Sequence, residues 1–391
     1  MISFSGLLND ITSYGDNLRY RRNTDRSRRR PIAVWNCSRR CNLNCVHCYS
    51  DSCEKSYDNE LTTDEAKGMI RDLKEFNVPV LLFSGGEPLM RKDLFELNAY
   101  ARGLGLRTVI STNGTLITPE VARKIKDTGF EYIGVSLDGI GMNNDRFRGK
   151  IGAFDAALAG IRDLVAVGQK AGLRFTITGE NYSDMTRLFD LVEKEEVDRI
   201  CFYHLAYSGR GSDLKSNDLV HKDTRRAIDD IYNWVVSLKK RGINKEVLTV
   251  DNHADGAYLY LKVKEESPAG ADAIYQLLLA NGGNASGVGI SNIDNEGNVH
   301  GDQFWQNVSF GNVRQRKFGD IWMDTSHELM GKLKDRRSFL KGRCPACKFL
   351  DICNGNLRVR AWAATGDVWA EDPACYLTDD EVFGSEVPAS R

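Results

Sequence analysis

The sequence predicts an α/β fold, an open partial (β/α)6 barrel followed by a smaller, cysteine-bearing domain. Three observations carry this reading. From Pro31 onward, short apolar runs alternate with helix-period segments, the pattern of βα units around a mostly parallel sheet. Polar clusters recur directly after the apolar runs, where the loops of βα folds gather their ligands. The alternation stops after about residue 211, and after Asn281 the composition turns Gly- and Asn-rich.

In chain order, residues 1–30 are a basic N-terminal segment in which Arg19, Arg21, Arg22, Arg26, Arg28, Arg29 and Arg30 crowd among few apolar residues. That composition suits a solvated tail, or a clamp for a polycarboxylate or for a partner's acidic face. Strands are expected at 32–36, 80–84, 107–112, 132–137, 173–178 and 199–205. Between them, Thr62 with Glu65 three residues on makes a capping box for a helix running to Phe76, and Thr118 ahead of Pro119 caps another. Further helices fit 93–104, 153–167 and 184–195, completing a core over 31–211. Residues 212–280 are charged and helix-like without strand alternation, and read as a helical connector. The second domain spans 281–391, with the hairpin-like run Asp294-Asn295-Glu296-Gly297-Asn298 near its start.

The bulk numbers exclude several classes. A net charge of -1 argues against a general nucleic-acid or anionic-membrane binder, whose affinity comes from many clustered cations. No apolar run reaches the roughly 18 residues of a membrane span, and the start lacks the basic-then-apolar order of a secretory signal. A cytoplasmic location is expected. Ten cysteines in such a chain point to metal or redox chemistry rather than structural disulfides. Cys201, inside the run Ile200-Cys201-Phe202-Tyr203, reads as a small buried hydrophobe.

Seven cysteines fall into two groups. Cys41, Cys45 and Cys48 form a C-x3-C-x2-C run on one loop after the first strand. Three thiolates at this spacing suit a cubane iron-sulfur cluster whose fourth iron stays open to a small molecule. The competing site is zinc, with His47 as a fourth ligand, but zinc sites favour paired C-x2-C knuckles. The second group, Cys344, Cys347, Cys353 and Cys375, is a complete four-thiolate set, suited to a closed cluster or to structural zinc, and spacing alone does not choose between them.

The C-x3-C-x2-C run after the first strand, with Gly85-Gly86-Glu87-Pro88 after the second, resembles the radical S-adenosylmethionine (SAM) superfamily over residues 31 to about 210. The resemblance implies that the three thiolates hold a 4Fe-4S cluster and that SAM binds its open iron. It further implies that Gly85, Gly86 and Glu87 receive the methionyl amine, that His47 lies near the adenine, and that Asn113, Ser136 and Asp138 approach the ribose and sulfonium. Glycines allow close backbone approach, and a carboxylate accepts a charge-assisted bond from an ammonium, so the residue types agree. The second cysteine group is similar to the auxiliary-cluster domain called SPASM or twitch, which implies a second 4Fe-4S cluster. A full SPASM domain carries two auxiliary clusters. Here Leu357 stands where a further cysteine is usual and His300-Gly301-Asp302 where others occur, so one auxiliary cluster is expected, with Asp302 a remote candidate ligand.

For substrate contact, Phe202-Tyr203-His204-Leu205-Ala206-Tyr207-Ser208-Gly209-Arg210 closes the sixth strand at the cavity edge. His204 suits either a satisfied core histidine or a cavity group, and the fork of Arg210 suits a carboxylate clamp. Tyr203 joins them as a candidate catalytic residue. Asp251-Asn252-His253-Ala254-Asp255-Gly256 is either a polar site or a helix-capping loop. Asn281-Gly282-Gly283-Asn284-Ala285-Ser286-Gly287 either brings backbone close to a flat ligand or is a linker. Gln303-Phe304-Trp305 and Trp322 are expected in the second domain's core.

The segments 203–211, 250–256, 282–287 and 369–377 resemble the haem-biosynthesis group that holds AhbC and NirJ, with Ile200-Cys201-Phe202-Tyr203-His204 and 245–250 closer to AhbC. This implies a tetrapyrrole substrate, didecarboxysiroheme, from which two acetate side chains are removed to give iron-coproporphyrin III. It implies a deoxyadenosyl radical that takes hydrogen from the acetate, and a ferredoxin or flavodoxin-type electron donor. The NirJ alternative acts on two propionates of the same substrate. A peptide maturase would ordinarily carry a larger N-terminal recognition domain than the thirty residues before Pro31, and a non-catalytic iron-sulfur or zinc protein leaves Gly-Gly-Glu-Pro without purpose.

Overall fold

A computed structural model describes residues 1–9, 14–20 and 30–384, and among them ten strands join in one sheet. They are β1 (Ile2–Ser3), β2 (Ile32–Ser38), β3 (Val80–Gly85), β4 (Arg107–Thr112), β5 (Tyr132–Ser136), β6 (Ala171–Ile177), β7 (Arg199–His204), β8 (Glu246–Val250), β9 (Ile290–Ile293) and β10 (Val299–His300). The order across the sheet is β1-β8-β7-β6-β5-β4-β3-β2-β9-β10. Strands β2 to β8 pair in parallel in sequence order, which is the curl of a partial barrel.

All six expected strands are present as β2 to β7, and the expected helices appear at Thr63–Glu75, Leu94–Gly103, Pro119–Asp127, Ala153–Ala166 and Met185–Lys194. Local chemistry explains their starts. The Thr62 and Glu65 capping box closes in both directions, and the Thr118 hydroxyl accepts from Val121 N ahead of Pro119. The strands' period-2 pattern sorts the faces. On β6 and β7, Leu173, Phe175, Ile200 and Phe202 are buried against the outer helices, while Arg174, Thr176 and Tyr203 line the barrel interior. Phe202 meets Phe175 and Phe189 edge-on at 6.1 and 5.8 Å, and Phe189 stacks on Trp234 at 4.4 Å.

Three expectations change. The 212–280 stretch is not wholly helical, because β8 continues the parallel barrel beside β7. All five β8 residues are buried, so no polar alternation marks them. The N-terminal segment is not a solvated tail where it is described: β1 pairs antiparallel with β8, Ile2 and Phe4 are fully buried, and helices follow at Phe4–Asn9 and Tyr14–Tyr20. The expected hairpin is present as β9 and β10, but β9 pairs in parallel with β2, so the sheet runs on across position 281.

The C-terminal residues pack onto the barrel at several points. Phe318 meets Phe76 at 5.7 Å with Trp322 stacked behind it, as expected of a core tryptophan. Arg360, fully buried, donates to the Leu205 and Asp251 carbonyls and pairs with buried Asp372 at 3.0 Å. Deleting one partner of such a buried pair strands the other's charge.

Replacing Phe202 by Ala removes the ring at the centre of the outer aromatic layer and should lower unfolding free energy by about 3–5 kcal/mol. Denaturant unfolding of the variant checks this, with a midpoint within error of wild type counting against the packing account.

Candidate active site

The cysteine loop follows β2 and is docked first by backbone contacts with the end of β3. Gly86 N donates to Ser38 O at 2.7 Å and Glu87 N to Arg40 O at 2.9 Å, so the end of β3 reads the chain as it leaves β2. A Cβ on Gly86 would lie 2.3 Å from Arg40 O and 2.7 Å from Arg39 O, and one on Gly85, at φ +125°, 2.3 Å from Ser38 O. Only glycine fits there. The Gly-Gly pair therefore first serves the docking of the cysteine loop, a role the sequence assigned to ligand approach.

Cys41, Cys45 and Cys48 all face one cavity, shared with His47, Gly85, Gly86, Asn113, Ser136, Tyr203, His204 and Arg210. Polar hydrogens approach the sulfurs. Arg148 Nη1 lies 3.6 Å from Cys45 Sγ, Asn113 Nδ2 3.9 Å from Cys41 Sγ, and Ser50 Oγ 3.5 Å from Cys48 Sγ. Burial pushes the Cys41 thiol up to about 12 and raises that of Cys45, so metal must displace their protons. Among the described residues no three His, Cys, Asp or Glu side chains converge as a single metal ion requires. The thiols instead frame a space. Three sulfurs with N–H donors around an open side fit an iron-sulfur cluster with one vacant corner.

Two expected cofactor contacts are corrected. Glu87 does not line the cavity: its buried carboxylate accepts from Thr112 Oγ1 and Asn113 N at 2.7 Å and from Leu89 N at 3.0 Å, fastening β4 to β3. Asp138 is likewise beneath the wall, pairing with Arg148, accepting from Thr176 N at 2.6 Å and lying 3.4 Å from His47 Nε2. Through Asp138, His47 is oriented against Phe147 at 4.6 Å, and burial holds its imidazole down to about 4, hence neutral. Ser136 does face the cavity, whereas the Asn113 amide is bonded to Asn42 of the cysteine loop at 2.8 Å.

Arg210 is also corrected. Its Nε and Nη2 donate to the carbonyls of Cys45 and Ser52 at 2.8 and 3.0 Å, so the fork staples the cysteine loop to the end of β7 instead of waiting for a carboxylate. His204 bonds Asp255 at 2.9 Å, and Asp255 accepts from Tyr376 at 2.8 Å, joining the cavity edge to the residue after Cys375. Tyr203 lines the cavity with Arg174 stacked over its ring at 4.6 Å. Of the basic N-terminal residues, Arg19 pairs with Asp16 at 3.1 Å and Arg30 lies over Phe76. Phe76 precedes β3, at the barrel end away from the polar loops. Arg21, Arg22, Arg26, Arg28 and Arg29 lie outside the described residues.

The sequence did not single out Arg148, Arg174 and Thr176, and it sent Gln303 and Phe304 to the second domain's core, yet all five line the cavity. Of the 251–256 stretch, Asp251 lines the cavity while Asn252 and Asp255 bond outward to Ala374 O and Tyr376. Burial pushes the Asp251 carboxyl up to about 6.

The second cysteine group also shares one pocket. Cys344, Cys347, Cys353 and Cys375 line one small apolar pocket with Phe349, Leu350 and Leu377. Asp302 is absent from it: its carboxylate is bonded to Ser286 and to Phe304 N, which removes it as a ligand there. The 281–287 loop meets not a flat ligand but this group's backbone, since a Cβ on Gly283 would fall 2.3 Å from Cys353 O and Asn284 N donates to that carbonyl at 3.0 Å.

The radical SAM superfamily model matches residues 35–192. Fe-coproporphyrin III synthase of Methanosarcina barkeri is 52% identical over 98% of this chain and 99% of its own length. Pre-heme d1 synthase of Dinoroseobacter shibae is 45% identical over 90% of this chain and 87% of its own. In fold, the chain resembles Streptococcus suis SuiB, solved bound to S-adenosylmethionine, with TM-score 0.70 at 20% identity over 89% of this chain and 78% of that one. No helix among the described residues is long and apolar enough to cross a membrane.

Replacing Arg210 by Ala frees the cysteine loop from β7. A reconstituted variant should lose iron to a chelator several-fold faster than wild type, measured by cluster absorbance; an unchanged rate would refute the staple.

Proposed function

The chain belongs to the radical SAM superfamily and, within it, to the haem-biosynthesis group of AhbC and NirJ, and from that premise we propose that it removes the two acetate side chains of didecarboxysiroheme to give iron-coproporphyrin III. The observation that carries this is the match to Fe-coproporphyrin III synthase along nearly the whole of both chains, at 52% identity. Family membership implies a 4Fe-4S cluster and SAM. Cys41, Cys45 and Cys48 would hold the cluster, with His47, Gly85, Gly86, Asn113 and Ser136 about the SAM site. When bound, these groups supply reductive cleavage of a sulfonium and hydrogen-atom abstraction.

The chain's own contribution is position and exclusion of water. Arg148 and Asn113 place N–H groups beside the thiolates, and Glu87 and Asp138 fix the strand ends beneath them. The cavity, of about 160 Å³, opens beside a larger cleft of about 740 Å³ that shares Tyr49, Gly85, Arg210 and Phe304 with it. The cleft is in the size range of sites for bulky ligands. In this reading the macrocycle lies in the cleft, flanked by Arg39 and Lys215, and offers one edge to the cavity. Four thiolates in an apolar pocket fit a second, auxiliary 4Fe-4S cluster, and a ferredoxin or flavodoxin-type protein would be the electron donor.

Anaerobic reconstitution with SAM, a reductant and didecarboxysiroheme, followed by product mass, tests the reaction. Loss of two acetates is expected. Modified propionates with retained acetates would instead favour the reaction of the pre-heme d1 synthase relative. Separately, changing Cys344 and Cys347 together to Ala should lower reconstituted iron by roughly four per chain. Iron unchanged from wild type would remove the auxiliary cluster from the scheme.

A further inference from the structure

Arg174 is a cation whose guanidinium has no contact ion-pair partner among the described residues. It stands at the middle of β6, half-buried, and lines the cavity, yet among the described residues its guanidinium makes no hydrogen bond and no ion pair. Its neighbour across the barrel wall makes room for it: a Cβ on Gly134 of β5 would lie 2.9 Å from Arg174 Cδ and 3.4 Å from Cγ. The guanidinium stacks over the ring of Tyr203 at 4.6 Å. A cation–π contact spends none of the guanidinium's N–H groups, which remain available to a planar, two-oxygen partner. A cation drawn from water without a partner costs free energy that a bound anion returns.

We propose that Arg174 receives one carboxylate of the substrate, so that an acidic side chain enters the cavity gripped from β6. The inference rests on the tetrapyrrole reading given above. SAM also carries a carboxylate, but Arg174 does not stand beside the cysteine loop, where the nearby cation is Arg148, 3.6 Å from Cys45 and paired with Asp138. Arg174 belongs to the other side, with Tyr203 on β7 and Asp251 after β8, and β4 and β5 separate it from β3 in the sheet. Asp251 lines the same cavity and feels the charge of Arg174, but makes no ion pair with it. In this placement a held acid group stops its side chain from rotating within the cavity.

The test compares wild type, Arg174→Gln and Arg174→Lys as reconstituted full-length enzyme. Tetrapyrrole affinity is read by absorbance titration, and SAM affinity and iron content are measured alongside. Arg174→Gln should weaken didecarboxysiroheme binding by at least about 30-fold, as expected for a buried charge pair that loses one member. Arg174→Lys should weaken it about tenfold, because the charge stays while the fork is lost. SAM affinity and iron content should match wild type in both, and the lysine variant decides the matter if the glutamine variant fails to fold. Wild-type tetrapyrrole affinity in a folded variant overturns the proposal, as does a loss confined to SAM binding. If wild type itself binds no didecarboxysiroheme, the tetrapyrrole reading falls and carries this inference with it, an outcome distinct from wild-type binding that is indifferent to position 174.

Discussion

The close approach of two backbones, the exit of β2 and the glycine pair ending β3, is the contact on which the rest of the site depends. The carbonyls of Ser38, Arg39 and Arg40 occupy the space where side chains at 85 and 86 would be. That approach sets where the next residues go, and three of those residues are the thiols. Glu87 then converts the same turn into an anchor for β4, and Arg210 ties the far side of the loop to β7. A loop held from three strands keeps its sulfurs in place before any metal arrives, which is the form of preorganisation a reactive open-corner cluster needs.

A second set of contacts joins the barrel to the residues that carry the other four thiols. Arg360 reaches the carbonyls at the ends of β7 and β8, and Asp372, its partner, also accepts from Leu357 N beside the second cysteine group. His204, Asp255 and Tyr376 make a parallel connection from the cavity edge to the neighbour of Cys375. Phe304 touches Tyr49 edge-on at 5.5 Å and its carbonyl accepts from Ser208, so the late part of the chain closes one wall of the early part's cavity. The two groups of thiols are thus joined by a connected set of polar contacts.

Much of this was legible in the residues. Capping boxes, proline at first helical positions and runs of branched and aromatic residues marked the barrel because their chemistry is local. Both cysteine groups declared themselves by spacing. What was hidden depended on partners distant in the chain. β8 escaped because a strand buried on both faces has no alternation to show. Glu87, Asp138 and Arg210 carried the charges of ligand-binding residues, but strand neighbours and loop carbonyls had already engaged them. Arg174 was the reverse case. In Leu173-Arg174-Phe175-Thr176-Ile177 the alternation was plain, but a polar strand face ordinarily meets solvent, and only the curl of the sheet turns it into the lining of a cavity.

The pairing of β9 with β2 has a consequence for how the protein is made. The strand that leads into the cysteine loop has one flank satisfied by β3 and the other by residues 290–293, so its open side waits on a segment synthesised about 250 residues later. At ordinary ribosomal speeds that interval is roughly 10–50 s. For that time the flank of β2 that later receives β9 stays unpaired, directly ahead of the three cysteines.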